Sequence, residues 1–262
     1  MKKYCFVIIL LLSLCHSIAW AQPDFVYNGL KYHILDRNRK TVSVIGTTNP
    51  TRDVVIPDLV LSSQNIAYYV TEIANGSING SFTQTITIPK YMEYIEPGAL
   101  VLPYLETINL SEHNTDFEVV DGVLYDRSKS TLLVYPCNKQ GEEFYVPNSV
   151  TKIGEEAFCS NRNLTYVYLP NSIMTIGKSA FSGVHKLSTL DLPSSLYFIE
   201  DEAFYTSTIT NISIPNSVLR IGKSAFQRCS HLTSVTLPSK ITTIEEGLFG
   251  SCSSLTSISI PT

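Results

Sequence analysis

Charge is scarce in this 262-residue chain, and basic charge is scarcer still. Only 16% of the residues are Asp, Glu, Lys or Arg, and 19 Lys and Arg stand against 23 Asp and Glu for a formal net charge of −4. That balance supplies no basic surface for nucleic acid or for an anionic membrane. After Ile18 no apolar run approaches the roughly 20 residues that a membrane-spanning helix needs. Tryptophan occurs once, at Trp20. The short phrases of common catalysts are missing too. There is no H-E-x-x-H, G-x-S-x-G, G-x-G-x-x-G or calcium-loop pattern, which leaves zinc-protease, serine-hydrolase, dinucleotide and EF-hand chemistry without their residues. The six cysteines form no C-x-x-C and no Cys/His cluster, so no metal site is expected. No catalytic residue and no cofactor is assigned.

What is present begins with an export signal. Lys2 and Lys3 precede an apolar run from Cys5 to Ile18, and Ala19-Trp20-Ala21 is an A-x-A cleavage site. Residues 1–21 therefore read as a secretory signal, and the chain as exported, either secreted or held at the outer cell surface. Cys15 raises lipid attachment as an alternative, but it follows Leu14 where such a cysteine normally follows a small residue. Cleavage removes two lysines, leaving 17 Lys and Arg against 23 acids, about −6. Four cysteines remain: Cys137, Cys159, Cys229 and Cys252.

The hexapeptide I-G-K-S-A-F occurs twice, at Ile176–Phe181 and Ile221–Phe226. G-K-S ends a nucleotide-binding P-loop, but that loop needs a glycine five residues earlier, where this chain has Ser172 and Ser217. Without a glycine-rich cradle, Lys178 and Lys223 are expected at solvent. Repetition is the better explanation. Pro147, Pro170, Pro193, Pro215, Pro238 and Pro261 are 23, 23, 22, 23 and 23 residues apart. Each unit repeats one apolar skeleton. From Pro215 it runs Val218, Ile221, Ala225, Phe226, Cys229, Leu232, Val235 and Leu237; from Pro238 it includes Ile244, Ile258 and Ile260. Weaker copies start near Val70 and at Pro89, giving seven units.

A period of 22–23 residues with L-x-x-L-x-L in each unit is a leucine-rich repeat, whose units bury their apolar faces only by stacking. In L-T-S-V-T-L, Val235 and Leu237 point inward and Thr236 outward. The V-x-x-I step predicts a second short strand. G-K-S-A-F predicts a turn leading into a short helical piece anchored by Phe226. Cys229 and Cys252 share one slot, three residues after the phenylalanine, filled elsewhere by Val184 and Ser207. Cysteine there reads as a small apolar filler with a free thiol; a disulfide between neighbouring units is the alternative.

The phrase I-P-N-S-V-L-R-I-G-K-S-A-F-Q-R-C-S-H-L-T-S-V-T-L-P resembles the BspA-like leucine-rich repeats of bacterial secreted and surface proteins, and the resemblance runs from about Pro57 to Thr262. Residues 111–146 interrupt the repeats. They contain D-G-V-L-Y and a hairpin signal, with Val123–Tyr125 and Leu132–Tyr135 flanking the polar turn Asp126–Ser130. Asn28-Gly29 between alternating strands predicts another hairpin at the start, which with K-T-V-S-V-I-G makes an antiparallel cap. The expected fold is thus a mostly β repeat solenoid with short helical turns. Its plan is a signal at 1–21, a β cap at 22–66, repeats at 67–110, a hairpin island at 111–146 and repeats at 147–262. The last stretch reads either as ending on its own cap or as truncated.

Solenoids usually bind along the face of their stacked strands. Outward positions on that face include Thr87, Asn109, Tyr168, Asp191, Ser213, Thr236 and Ser259, with Tyr166, Thr189, Asn211 and Ser234 beside them. The candidate ligand residues are Tyr166, Tyr168, Thr189, Asp191, Asn211, Ser213 and Thr236. Tyr166 and Tyr168 serve as anchors because aromatics dominate binding hot spots. Tyr91, Tyr94, Tyr197 and Phe198 form a rival patch on the other strand. The resemblance implies adhesion to extracellular-matrix, mucin or other cell-surface proteins; the chain is expected to be a monomer and, lacking catalytic motifs, not an enzyme. A structural spacer, or the first part of a larger surface protein, is the second reading.

Overall fold

The computed structural model describes residues 22–49 and 51–260. The expected signal, including Cys15, and Pro261-Thr262 lie outside the described residues. The first strands fold back on one another. β1 (Phe25–Tyr27) and β2 (Leu30–Asp36) form an antiparallel hairpin. Its turn residues, Asn28 and Gly29, take φ of 46° and 78°, the left-handed pair that a two-residue hairpin turn requires. β3 (Thr41–Thr47) continues antiparallel to β2. Then follow β4 (Asp53–Val55), β5 (Leu59–Leu61) and β6 (Ala67–Ile73), with β5 antiparallel and β3 parallel to β6.

From β6 onward the chain climbs in parallel rungs along two walls. One wall carries the V-x-x-I steps. β6 pairs there with β8 (Tyr94–Ile95). The other carries the L-x-x-I-x-I steps, where β4 pairs with β7 (Thr85–Ile88) and β7 with β9 (Thr107–Leu110). β4 lies in the stretch expected as cap, yet it is the first rung of this second wall.

The island is a meander of three strands: β10 (Phe117–Val120), β11 (Val123–Asp126) and β12 (Thr131–Val134). The predicted pair of strands is present as β11 and β12. Period-two alternation lets β11 serve two cores at once. Val123 and Tyr125 enter the core of the later repeats, while Leu124 enters that of the first half. β12 then pairs parallel with β14 (Lys152–Ile153) and so starts the next run of the first wall.

The later repeats are regular. β14 (Lys152–Ile153), β16 (Thr175–Ile176), β17 (Phe198–Ile199) and β19 (Arg220–Ile221) extend the first wall without a break. On the second wall β13 (Glu143–Tyr145) pairs with β15 (Tyr166–Tyr168), and β18 (Asn211–Ser213) with β20 (Ser234–Thr236) and β21 (Ser257–Ser259). Inside the corner, Phe158, Phe181, Phe204, Phe226 and Phe249 stack with centroids 4.9, 5.4, 5.0 and 5.7 Å apart. The first four of these rings are fully buried.

Three expectations change. The corner piece is not helical, and no helix occurs among the described residues. Ala180 N–H donates to Gly177 O and Ser182 N–H to Ser179 O, but Ser179 sits at φ 52°, so two turns follow one another without propagating. The shared slot after the phenylalanine is not mere filler. Cys229 Sγ donates to Phe204 O and Cys252 Sγ to Phe226 O, each at 3.0 Å. Asn161 occupies the same slot and its amide reaches Pro136 O at 3.2 Å, so the slot satisfies buried carbonyls of the preceding rung. All four cysteines are free, and burial pushes the Cys229 thiol up to about 11. Finally, Ile244, Ile258 and Ile260 are exposed, because no described rung stacks beyond β21.

Candidate binding face

Strand alternation fixes what the second wall offers to a ligand. Val167 is buried while Tyr166 and Tyr168 on either side are half exposed. A third tyrosine joins them. The Tyr145 ring lies parallel to that of Tyr168, with centroids 4.2 Å apart and planes 4° from coincidence. Tyr166 and Tyr168 are 6.4 Å apart. The Tyr145 hydroxyl donates to Glu143 Oε2 at 3.1 Å, and that hydrogen bond helps hold its pKa at about 12. The three rings form an aromatic plate on two adjacent rungs. Tyr145 escaped the sequence reading because the repeats were counted from Pro147. Its distance of 23 residues from Tyr168 is the signal that marks it.

The other predicted residues are exposed, but they do not continue this plate as one ladder. Asn211 and Ser213 lie on β18 and Thr236 on β20, with Ser213 directly opposite Thr236. Thr87 and Asn109 face each other on the separate sheet of the first half. Thr189 and Asp191 belong to no strand. The second wall is therefore three sheets, and between β15 and β18 a rung is open.

On the β18 side of the open rung, the unit is one residue short. In the flanking units the corner phenylalanine and the buried leucine that opens the second-wall step stand six positions apart: Phe181 and Leu187, Phe226 and Leu232. Phe204 and Ile209 stand five apart. The shortfall lies after the corner and before β18, so the first wall keeps its register while β18 is drawn away from residues 189–191. Thr210 N–H still donates to Ser188 O at 2.9 Å, and there the contact ends. Beyond it a cavity of about 410 Å³ opens between Thr189–Leu192 and Asn211–Ser213.

The repeated G-K-S corners do not hold phosphate. Lys178 and Lys223 are exposed, and their ammonium groups stand 3.7 Å from Glu155 and 3.6 Å from Glu246. The backbone amides that an anion would need are already engaged, Lys178 N–H with Glu200 Oε2 and Lys223 N–H with Asp201 Oδ1. His185 and His231 are exposed. Among the described residues no group of three His, Cys, Asp or Glu could hold a metal ion, and no helix is long and apolar enough to cross a membrane. The rival patch is also at the surface. Tyr91, Tyr94, Tyr197 and Phe198 are partly exposed on the first wall, with Tyr69 edge-on to Tyr91 at 4.8 Å.

Six copies of the BspA type leucine rich repeat region match residues 59–125 and 151–262. The chain belongs to the BspA-type leucine-rich repeat family. Three solved structures are similar to the chain in fold. A leucine rich cell surface protein from Faecalibacterium prausnitzii is 18% identical, with TM-score 0.63, covering 92% of this chain and 96% of its own. The pneumococcal vaccine antigen PcpA is 19% identical, with TM-score 0.57 and coverage of 91% and 88%. A leucine-rich repeat protein from Eubacterium ventriosum is 29% identical, with TM-score 0.52 over 73% of this chain; the match spans 46% of that protein. No curated protein matches the sequence.

Proposed function

We propose that this BspA-type protein is exported and binds a protein of the host or cell surface, extracellular matrix or mucin included, through the second wall of its solenoid. The observation that carries the reading is the aromatic plate. Tyr145, Tyr166 and Tyr168 are large rings held outward on paired strands, and ordered aromatics give contact area at low entropic cost. The family supports the scaffold role, since stacked repeats present extended faces to partners. Two of the structural relatives are described as a cell surface protein and a vaccine antigen, which supports the exported location. No catalysis is assigned. Contact is non-covalent.

The test is binding of the purified protein to immobilised matrix proteins and mucins, beside a Tyr145→Ala/Tyr166→Ala/Tyr168→Ala variant. Saturable binding that weakens at least about tenfold in the variant supports the reading, because losing a hot-spot aromatic costs 2 kcal/mol or more, by the usual order of magnitude. Binding that the variant keeps moves the site to the Tyr91 and Tyr197 side. No saturable binding to any of the panel overturns the adhesive role.

A further inference from the structure

We infer that the opening between residues 189–192 and β18 accepts an extended polypeptide as an added strand, preferring one with a lysine or arginine beside Asp191. This rests on the reading of the second wall as a protein-binding face and names the form its ligand takes there. Four observations carry it. β15 has a partner on one side only, β13, and β18 only β20, so two strand edges face the interrupted rung. Among the described residues, no backbone N–H or C=O from Thr189 to Leu192 has a hydrogen-bond partner, although Leu190 and Leu192 are turned toward the core. Unpaired rows of this kind are templates for another strand. The cavity of about 410 Å³ is lined by residues 189–192 on one side and by residues of β18 on the other, so a segment seated in it lies beside both. Three or four residues, at about 3.3 Å rise each, span the described edge.

The side-chain chemistry narrows the ligand. Asp191 is the one charged residue among those lining the opening, and it is exposed. Thr189, Asn211 and Ser213 supply neutral hydrogen-bonding groups beside it. Tyr168 holds the position of Asp191 one repeat earlier. Backbone pairing supplies affinity and the charge supplies preference.

Two measurements decide it. In the free protein, amide hydrogen exchange at Thr189, Leu190, Asp191 and Leu192 is expected to be fast, in contrast to protected amides at Ile176 and Ile199; protection at 189–192 would mean a closed rung and would sink the idea. A random eight-residue peptide library is then panned on the protein. Enriched peptides should carry a basic residue, should slow exchange at 189–192 and 211–213, and should bind at least about tenfold more weakly when alternate amides are N-methylated, since two or more hydrogen bonds are lost. A variant with one glycine inserted between Thr208 and Ile209, restoring the 23-residue count, should lose the peptides. Enriched peptides that are indifferent to N-methylation, or no enrichment at all, overturn strand addition. Either result leaves binding of matrix proteins by the tyrosine plate standing or falling on its own assay.

Discussion

The two walls of one solenoid meet the same short unit and respond differently. On the V-x-x-I wall the rungs pass through it in register: Thr175 opposite Phe198, Phe198 opposite Arg220. On the L-x-x-I-x-I wall the ladder parts at 189–191. The difference lies in what each rung is tied to. The first wall leads directly into the corner, where Phe181 N–H donates to Ala203 O at 2.7 Å and Phe204 N–H to Ala225 O at 2.8 Å, and where the phenylalanines stack. A residue lost beyond that corner cannot shift it. The second wall has only its own ladder, so the loss falls there. A solenoid can thus carry a local opening without unzipping, because stability is shared between neighbours rather than across the whole.

The sharpest test of the contrast is a pair of truncations. Phe204→Ala removes a fully buried ring from the middle of the stack and is expected to cost about 3–5 kcal/mol. Leu190→Ala, at the open rung, is expected to cost only about 2 kcal/mol, the low end for a buried leucine, since the site borders a cavity and can collapse. Denaturant midpoints of the two variants measure this. Equal costs would erase the distinction between the walls.

A smaller effect separates filler from donor in the slot after the phenylalanine. If the Cys229 thiol satisfies the Phe204 carbonyl, Cys229→Ser keeps the bond and Cys229→Val loses it at similar volume. The valine variant should be less stable by about 1 kcal/mol in the same denaturation assay, while serine stays near the wild type. A valine variant as stable as wild type would return the slot to simple packing, as Val184 already does in its own unit.

Much of this was legible in the sequence. Proline spacing and the repeated skeleton give the walls, the corner and the inward set, because each demands a local pattern. The Asn28-Gly29 turn was legible for the same reason. The opening was not, although the short unit beside it, 22 residues instead of 23, was visible. A count says that a residue is missing; only the packing says which wall yields. Tyr145 was hidden by a unit boundary drawn at a proline. Asn161 was overlooked in the cysteine slot because its chemistry differs, yet both side chains donate to the rung before.

The smallest effect concerns the cap end of the first wall. Glu72 on β6 lies between Ser43 on β3 and Tyr94 on β8, in a row that crosses the sheet. Its Oε1 is buried without a hydrogen bond. Desolvation raises its pKa above the ordinary 4.5, and nearby Glu96 adds to this, while Ser43 and His33 oppose it. The folded protein therefore holds this proton more tightly than the unfolded chain does. Its stabilising contribution is complete below the unfolded value and is lost as pH rises through the folded one. Glu72→Gln removes the charge, so the variant should be more stable than wild type at pH 7, and the gap should close as pH falls below about 4.5, where both carry a neutral group. Melting temperatures at pH 7 and pH 4 compare the two. A gap that persists unchanged at pH 4 would assign the effect to shape or hydrogen bonding rather than to charge.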